Sequence, residues 1–322
     1  MDPQAFLADV EAVPHTLRRL AAALDAGELP LARIGRTWDR VLLLGMGSSA
    51  YAAGVAAARL RAQGVAAVAE LASSALLPPA NPEMLVVAVS ASGGSAETLA
   101  AVHDYLGTST VVAVTEDLDS ALAADADLAL PLLAGAEPGG VASRSYRHTL
   151  ALLLALGEQL RPGTAPQMAR TCRRAATATE HLLSSRGWWL PAVADALDGP
   201  DGSWVVAPAA RLASAQQSAL MLREGPRRAA TACESGDWSH VDVYLTKTLD
   251  YRMLLMPGSR WDSELLTWTG QRACTVVAVG AQAAGAAWTV TYPGQDSADV
   301  ALLTETTVAE LVAYRWWSAG PV

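Results

Sequence analysis

The sequence predicts an α/β protein built from two parallel-sheet units that are flanked by helices. Continuous apolar runs, such as Val-Leu-Leu-Leu at 41–44, are typical of strands buried on both faces of a parallel sheet, and segments with helical spacing follow them. Strands that alternate with helices predict a parallel sheet with right-handed crossovers. The same strand–helix order recurs after residue 195, which we interpret as a structural repeat with little shared sequence.

The first unit is predicted to hold five strands. We expect them at 41–44, 66–71, 84–89, 110–115 and 128–131, with helices at 50–63, 96–106 and 120–124. An amphipathic helix over 5–26 precedes them, because its apolar residues recur at helical spacing.

The rest of the chain is predicted to be helical first and then α/β again. Residues 144–200 form the helical stretch, with a break at Arg161-Pro162-Gly163. Strands are expected at 203–207, 251–256, 273–279 and 288–292, with helices at 214–224 and 302–317. Four regions result: an N-terminal helical segment (1–35), a first unit (36–160), a helical linker (161–194) and a second unit with the C-terminal helix (195–322).

The composition excludes several classes of function. Lys and Arg number 23 and Asp and Glu 32, so the net charge is −9, and there is no basic cluster with which a nucleic-acid groove would displace counterions. With 52% hydrophobic and 17% charged residues, the chain is not expected to be disordered. Three widely spaced cysteines give neither a disulfide framework nor a zinc pattern. We predict no metal and no redox cofactor.

No membrane attachment is predicted. The start of the chain, Met1-Asp2-Pro3, lacks the positively charged region of a signal peptide. The uncharged stretch 273–295 is about as long as a membrane span, but glycines and a proline interrupt it, which favours two short strands around a loop. We therefore expect a soluble, cytoplasmic protein.

A first glycine-containing turn, the 45–49 turn, follows the first strand. It reads Gly45-Met46-Gly47-Ser48-Ser49 and precedes a helix, whose free amides attract anions. A dinucleotide fingerprint would need a third glycine at position 50, which is Ala50, so that interpretation fails. Taken alone, the motif is compatible with an ordinary strand–helix turn.

A second turn, the 90–98 turn, carries a stronger signal. It lies between a strand and a helix and reads Ser-Ala-Ser-Gly-Gly-Ser-Ala-Glu-Thr. Hydroxyl donors and backbone amides can hold a phosphate without a positive charge. One serine, Ser95, would suffice as an N-cap, so the surplus of hydroxyl groups favours phosphate binding.

Together with the glycine-rich loop Gly135-Ala136-Glu137-Pro138-Gly139-Gly140-Val141-Ala142-Ser143, these two turns resemble the sugar isomerase (SIS) domain family. That family has a G-x-G-S/T-S turn, an S-x-S-G-x-S/T-x-[DE]-T turn and an A-G-x-E-x-G-V-A-S loop, which this chain matches with one extra glycine. The resemblance extends over the two-unit layout and is nearest to proteins with two flavodoxin-like SIS units. These include the isomerase half of glutamine–fructose-6-phosphate amidotransferases, AgaS-like isomerases and fructosamine-6-phosphate deglycases.

The resemblance implies a phosphosugar pocket lined by residues of all three motifs. Ser90, Ser92 and Ser95 would hold the phosphate, and the segment from Val141 to Ser143 would contact the sugar. The full set of binding residues implied is Gly47, Ser48, Ser49, Ser90, Ser92, Gly93, Ser95, Thr98, Val141 and Ser143.

Two candidate catalytic residues lie in the second unit. Glu224 ends a segment that resembles the family's A-L-K-L-K-E helix end, and His240 follows sixteen residues later, at the family's separation. A sugar isomerase needs a base that moves a proton between C1 and C2 and a second group that opens the ring, and a carboxylate and an imidazole suit these tasks. We assign the first task to Glu224 and the second, or protonation of a leaving group, to His240. Read without the resemblance, Glu224 could be an exposed helix end and His240 a loop histidine.

The sequence also departs from the family pattern. Met221 and Arg223 stand where the amidotransferase relatives carry lysines, and their lysine-bearing C-terminal tail has no counterpart. The only lysine of the chain, Lys247, is either a surface charge or, less often for a lone lysine, a Schiff-base residue.

These observations predict a phosphosugar enzyme that needs no metal or redox cofactor. The reaction is aldose–ketose isomerisation, or deamination or deglycation of a sugar or amino-sugar 6-phosphate. By resemblance, the histidine serves the partner's site, so we expect a homodimer. A non-catalytic sugar-phosphate-binding regulator stays open because of the missing lysines, and a nucleotide-binding protein is disfavoured by the failed fingerprint.

Overall fold

A computed structural model describes residues 1–35, 37–160 and 166–320. The chain divides into two compact units. We call them the first-sheet unit, which comprises residues 15–136 and 144–172, and the second-sheet unit, which comprises residues 1–14, 137–143 and 173–322. The N-terminal helix α1 (Pro3–Ala26) contributes residues to both.

The first-sheet unit contains a five-stranded parallel sheet. Its strands are β1 (Arg40–Gly45), β2 (Ala67–Leu71), β3 (Met84–Val89), β4 (Thr110–Thr115) and β5 (Leu128–Pro131). The helices are α2 (Ser48–Ala62), α3 (Ala96–His103), α4 (Ala121–Asp125) and α5 (Arg144–Gln159). The strand order is β2-β1-β3-β4-β5, and every residue of β3 is buried, which explains its unbroken apolar sequence.

The second-sheet unit repeats this topology. Its strands are β6 (Ser203–Ala207), β7 (Ala230–Glu234), β8 (Arg252–Leu255), β9 (Thr275–Val279) and β10 (Trp288–Val290), in the order β10-β9-β8-β6-β7. The helices that accompany them are α7 (Leu212–Glu224), α8 (Asp262–Gln271), α9 (Ala298–Thr304) and α10 (Thr306–Ser318). Counted within its unit, each strand has the same neighbours as its counterpart in the first sheet. The α/β prediction with two parallel-sheet units is confirmed.

The long helix α6 (Met168–Leu197) lies between the two sheets in the sequence. The predicted stretch of helices is confirmed as α5 and α6, whereas the predicted break at 161–163 lies outside the described residues. The uncharged stretch from Ala273 to Gln295 forms β9 and β10 around a loop, as expected. Among the described helices, none is both long and apolar enough to span a bilayer.

Three elements differ from the sequence prediction. Strand β7 and helix α8 were not predicted, and the single closing helix predicted at 302–317 is two helices, α9 and α10. The division between them is at Glu305, a fully buried carboxylate that pairs with Arg211. A buried charge requires such a partner, and this pairing fixes the chain at the junction.

Candidate active site

The two predicted phosphate turns lie side by side at the carboxyl edge of the first sheet. Strands β1 and β3 are adjacent, with Leu44 paired to Ala88, and the 45–49 and 90–98 turns follow their ends. The next strand along the chain after β1, β2, lies on the other side of β1, so the strand order reverses between β1 and β3. In open α/β sheets, ligands bind in the crevice at such a switch point.

The 45–49 turn is shaped by its glycines. Gly47 has a φ of 51°, a conformation that favours glycine, and a Cβ atom on Gly45 would come within 2.9 Å of the backbone of Ser49. The absence of a side chain at Gly45 thus lets the first turn of α2 lie close to the strand. Ser48 and Ser49 start this helix and are half-buried. The turn therefore presents a helix N-terminus to the crevice.

The 90–98 turn holds its serines in different environments. Ser95 is the N-cap of α3, since its Oγ accepts from the Thr98 amide at 3.4 Å. Ser92 is exposed, and its Oγ accepts a hydrogen bond from the Gly94 amide. Ser90 is buried at the end of β3 and donates its amide to the next strand. The cap interpretation therefore holds for Ser95, and Ser92 offers the most accessible hydroxyl group of the three.

Gly93 allows this turn to approach α4. Its φ is 64°, and a Cβ atom there would lie 2.0 Å from Ser120 Oγ and 2.3 Å from Ser120 Cβ. Ser120 is itself the N-cap of α4. The conformation of the turn thus depends on glycine at position 93.

Sequence reasoning missed an acidic residue at the same edge. Glu116 directly follows β4, and its carboxylate accepts the amides of Ala134 and Gly135 at 2.8 and 2.9 Å. Arg144 donates to the carbonyl of Ala134 at 3.0 Å, and Leu133 has a φ of 59°. These bonds fix the segment after β5. The one available signal was a charged residue at the end of an apolar strand.

The Glu137–Ser143 loop belongs to the second-sheet unit, where side chains also fix its backbone. Gln217 Nε2 donates to the Ala142 carbonyl at 2.8 Å, and the Ser143 hydroxyl donates to Glu310 at 3.0 Å. Ser143 is fully buried and Val141 nearly so. The hydroxyl of Ser143, predicted to contact the sugar, is therefore occupied by Glu310.

Glu224 lies at the end of α7, beside a cavity of about 330 Å³ that Met1, Trp317 and Arg227 also line. Burial raises the pKa of the Glu224 carboxyl, and the charge of Arg223 partly opposes this rise. A carboxyl group with a raised pKa exchanges protons more readily near neutral pH. The assignment of Glu224 as the base stays a prediction.

His240 lies at the opposite edge of the second sheet from Glu224. Helix α7 starts after the carboxyl end of β6 and runs back for 13 residues, or about 20 Å, to the edge where the strands begin. Strand β7 then crosses the sheet again, and His240 follows it, exposed, after the short 3₁₀ helix Asp237–Ser239. The structure does not bring the two predicted catalytic residues together within this unit.

Two other residues noted in the sequence have ordinary surroundings. Trp238 is fully buried and donates to the Tyr251 hydroxyl at 2.8 Å, as a core residue would. Lys247 is exposed, with its amino group 5.6 Å from the Tyr244 ring centroid. Within the described residues, no group of three or more His, Cys, Asp or Glu side chains is placed to hold a metal ion.

At the corresponding crevice of the second sheet, at the ends of β6 and β8, carboxylates of the chain accept backbone amides. Asp262 accepts the amides of Gly258 and Ser259 at 2.6 and 3.0 Å, and Glu234 accepts the amide of Ala209 at 3.1 Å. Carboxylates of the chain thus occupy amides that could otherwise bind an anion. The two crevices share a strand order, but in the 90–98 turn serine hydroxyls rather than carboxylates accept the amides.

Comparison with known protein families identifies the domain that contains the first sheet. Residues 36–158 match the model of the SIS domain family. The chain carries a SIS domain. The family resemblance expected from the three motifs is therefore confirmed.

One curated relative of this SIS-domain chain is the isomerizing glutamine–fructose-6-phosphate aminotransferase of Aeropyrum pernix. The two are 30% identical over 259 residues, which cover 76% of this chain. The match covers 42% of the relative, so this chain spans less than half of that enzyme.

Solved structures show that the fold extends over both sheets. Tagatose-6-phosphate ketose/aldose isomerase from Escherichia coli has a TM-score of 0.83 at 19% identity, covering 100% of this chain and 96% of that one. Glucosamine-6-phosphate deaminase from Thermotoga maritima has a TM-score of 0.76 at 18% identity, covering 98% and 95%. At these identities the likeness concerns the fold.

Proposed function

We propose that this SIS-domain chain is an enzyme that acts on a phosphorylated sugar. The reaction is aldose–ketose isomerisation, or deamination or deglycation of a sugar or amino-sugar 6-phosphate. The crevice between β1 and β3 is the observation that supports this most strongly, because it combines two helix N-termini with several serine hydroxyls at a switch point.

In this proposal, hydroxyl groups and amides bind the phosphate. Ser92 is exposed and Ser95 half-buried, and Ser48 and Ser49 start the neighbouring helix. Ser90 lies buried behind them. A helix N-terminus carries about half a positive charge, which attracts the dianion without lysine or arginine.

The proton transfer is assigned to Glu224. Its raised pKa suits a group that takes a proton from one sugar carbon and returns it to the neighbouring carbon. His240 is assigned to ring opening or to protonation of a leaving amine, for which an imidazole is suited near neutral pH.

The positions of these two residues support a homodimer with shared sites. Glu224 and His240 lie at opposite edges of one sheet, so they can act on one substrate only if a second copy supplies one of them. His240 is exposed, as such an exchange requires. Exposed apolar side chains at Val241, Tyr244 and Leu245 directly follow it and would be covered by the partner.

A phosphosugar-binding regulator is the second candidate. It is favoured by Met221 and Arg223, which stand where amidotransferase relatives carry lysines. A regulator would bind a sugar phosphate without exchanging its carbon-bound protons, and this difference separates the two functions.

The test combines ligand binding with proton exchange. Hexose 6-phosphates, amino-hexose 6-phosphates and fructosamine 6-phosphates are screened by thermal shift, and each ligand that binds is incubated in deuterated water. We expect deuterium at C1 or C2, and we expect it to be lost in Glu224→Gln but retained in Glu264→Gln, an exposed glutamate on α8.

A matched pair of serine variants tests the phosphate site. Ser92→Ala is expected to weaken binding, whereas Ser184→Ala, on the exposed face of α6, leaves binding unchanged. If no sugar phosphate raises the melting temperature, the proposal is wrong. Binding without exchange, unaffected by Glu224→Gln, would instead establish the regulator.

A further inference from the structure

Trp317 forms an aromatic wall of the cavity that contains Glu224. Both residues belong to the second-sheet unit, and both line the cavity of about 330 Å³ described above. Glu224 is the last residue of α7, and Trp317 lies in the last turn of α10, which packs against α7. The ring is half-buried and is the one aromatic side chain among the described residues that line this cavity.

Two contacts hold the Trp317 ring at the end of α7. A Cβ atom on Gly225 would come within 2.9 Å of Trp317 Cε3, so the ring lies against the backbone of the residue that follows Glu224. The ring of Phe6, a buried residue of α1, lies 6.0 Å away between centroids, a separation at which aromatic pairs attract each other. The place of the ring is therefore fixed from two elements.

The charges near Glu224 do not explain its raised pKa. Arg223 precedes it on α7, and Arg227 and the first residue, Met1, with its amino group, line the same cavity. On α10, Arg315 is exposed. All these groups are positive, and positive charges lower the pKa of a carboxyl group. The rise therefore comes from burial, so the groups that keep water from the carboxyl determine how readily it accepts a proton.

We propose that Trp317 is a positioning residue for Glu224, whose carboxylate its ring shields from water. The inference rests on the proposed function, which makes Glu224 the base. The carboxylate takes a proton from one sugar carbon and returns it to the neighbouring carbon, so it ends each cycle unprotonated. A poorly hydrated carboxylate is the stronger base in the first of these steps. Without the ring, water enters the cavity and hydrates the carboxylate.

The diagnostic variants are Trp317→Ser, which removes the ring, and Trp317→Phe, which keeps an aromatic wall. The first measurement is the titration of Glu224 itself, from the ¹³C signal of its carboxyl group in the full chain labelled with ¹³C-glutamate. Glu224→Gln identifies the signal. We expect the midpoint to move to lower pH in Trp317→Ser and to stay in place in Trp317→Phe, because burial of the carboxyl raises its pKa.

The second measurement is the pH dependence of deuterium incorporation into a bound sugar phosphate. In Trp317→Ser we expect the exchange rate at pH 7 to fall roughly three- to tenfold, because the base is weaker. The acid limb of the profile should move to lower pH with the titration of Glu224. Trp317→Phe should keep both the rate and the profile.

The matched control is Trp188→Ser, which removes a tryptophan of α6 that is 71% exposed and does not line this cavity. It should change neither the titration of Glu224 nor the exchange rate. If Trp317→Ser does not fold, Trp317→Gln takes its place, because glutamine keeps much of the side-chain length and brings a polar group to the cavity.

The outcomes separate this inference from the proposed function. A Glu224 midpoint that stays in place when the ring is removed would overturn the role of Trp317, whether or not a sugar phosphate is turned over. A midpoint that moves without any change in exchange would overturn it as well. If no sugar phosphate binds the unmodified protein, the proposed function fails, and the titration alone still decides whether the ring shields Glu224.

Discussion

At the level of single residues, Gly93 shows how one position controls the conformation of the 90–98 turn. Its positive φ and its contact with Ser120 both require the absence of a Cβ atom. The neighbouring Gly94 has neither constraint, since the nearest atom to a Cβ there would be Ser92 Oγ at 3.9 Å. Two adjacent glycines thus have very different tolerance of substitution.

The first prediction concerns this pair. Gly93→Ala should lower the free energy of unfolding by about 2 kcal/mol or more and weaken phosphosugar binding, because the new methyl group overlaps Ser120. Gly94→Ala should change stability by less than about 0.5 kcal/mol. Chemical denaturation of both variants checks this, and equal effects would contradict the assigned geometry.

A second prediction concerns pH. His148 is fully buried on α5, with Nδ1 2.8 Å from the Leu132 carbonyl, and burial together with nearby arginines lowers its pKa to about 4. Below pH 6.5 the unfolded chain binds a proton that the folded chain takes up only near pH 4. The free energy of unfolding should therefore decrease as the pH is lowered, and His148 should account for about 2 kcal/mol of the decrease between pH 7 and pH 5.

The measurement compares urea unfolding at the two pH values. His148→Asn keeps a donor near the position of Nδ1 but does not titrate, so its pH dependence should be smaller by that amount. His103→Asn, on the exposed face of α3, should keep the original pH dependence. If His148→Asn also keeps it, His148 does not carry the effect.

At the level of elements, the junction between β1 and α2 decides where the helix begins. The predicted helix started at residue 50, whereas α2 starts at Ser48 because Gly45 lets its first turn pack against the strand. The close approach brings the helix N-terminus, and thus its anion-attracting amides, to the sheet edge.

The third prediction compares two glycines around this helix. Gly45→Ala should destabilise the protein by about 1–3 kcal/mol, since the Cβ atom would contact the Ser49 backbone at 2.9 Å. Gly54→Ala, on the exposed face of α2 with no atom within 4 Å, should stabilise it by up to about 1 kcal/mol through helix propensity. Melting temperatures that move in opposite directions would support this assignment.

The elements that sequence predicted best are those with a purely local signal. β3 and β4 have their predicted bounds, because unbroken apolar runs between polar turns identify buried strands. β7 was missed because Ala-Thr-Ala-Cys-Glu at a sheet edge has few strongly apolar residues. At the division between α9 and α10, Glu305 pairs with Arg211, 94 residues away in sequence, and no local pattern reveals this pair.

The same distinction holds for the candidate site. The two serine-containing turns could be predicted from the sequence because each lies within one short segment. The bonds that fix the loops were not, because their partners are distant in sequence: Ser143 and Glu310 are 167 residues apart, and Glu116 and Gly135 are 19 apart. Tertiary hydrogen bonds of this kind leave no periodic signal.

At the level of the whole molecule, a site shared between two copies of the chain predicts the activity of a mixture of two inactive variants. Glu224→Gln and His240→Ala should each be inactive as homodimers. If each site takes Glu224 from one chain and His240 from the other, a mixed dimer regains one intact site. After mixing with reversible dissociation, about a quarter of the normal activity should return, since about half of the dimers are mixed.

The control for this experiment is a mixture of Glu224→Gln with a double variant that carries both substitutions. None of its dimers contains an intact site, so it should remain inactive. Activity that does not return in the first mixture, although dimers exchange, would mean that both groups act from one chain and would contradict the shared site.

The two sheets share a strand order, but the amides that follow their strands have different partners. In the second sheet, Asp262 accepts the amide of Gly258 and Glu234 accepts the amide of Ala209, so these amides serve to hold the fold. A repeated strand order within one chain therefore does not by itself repeat a ligand site.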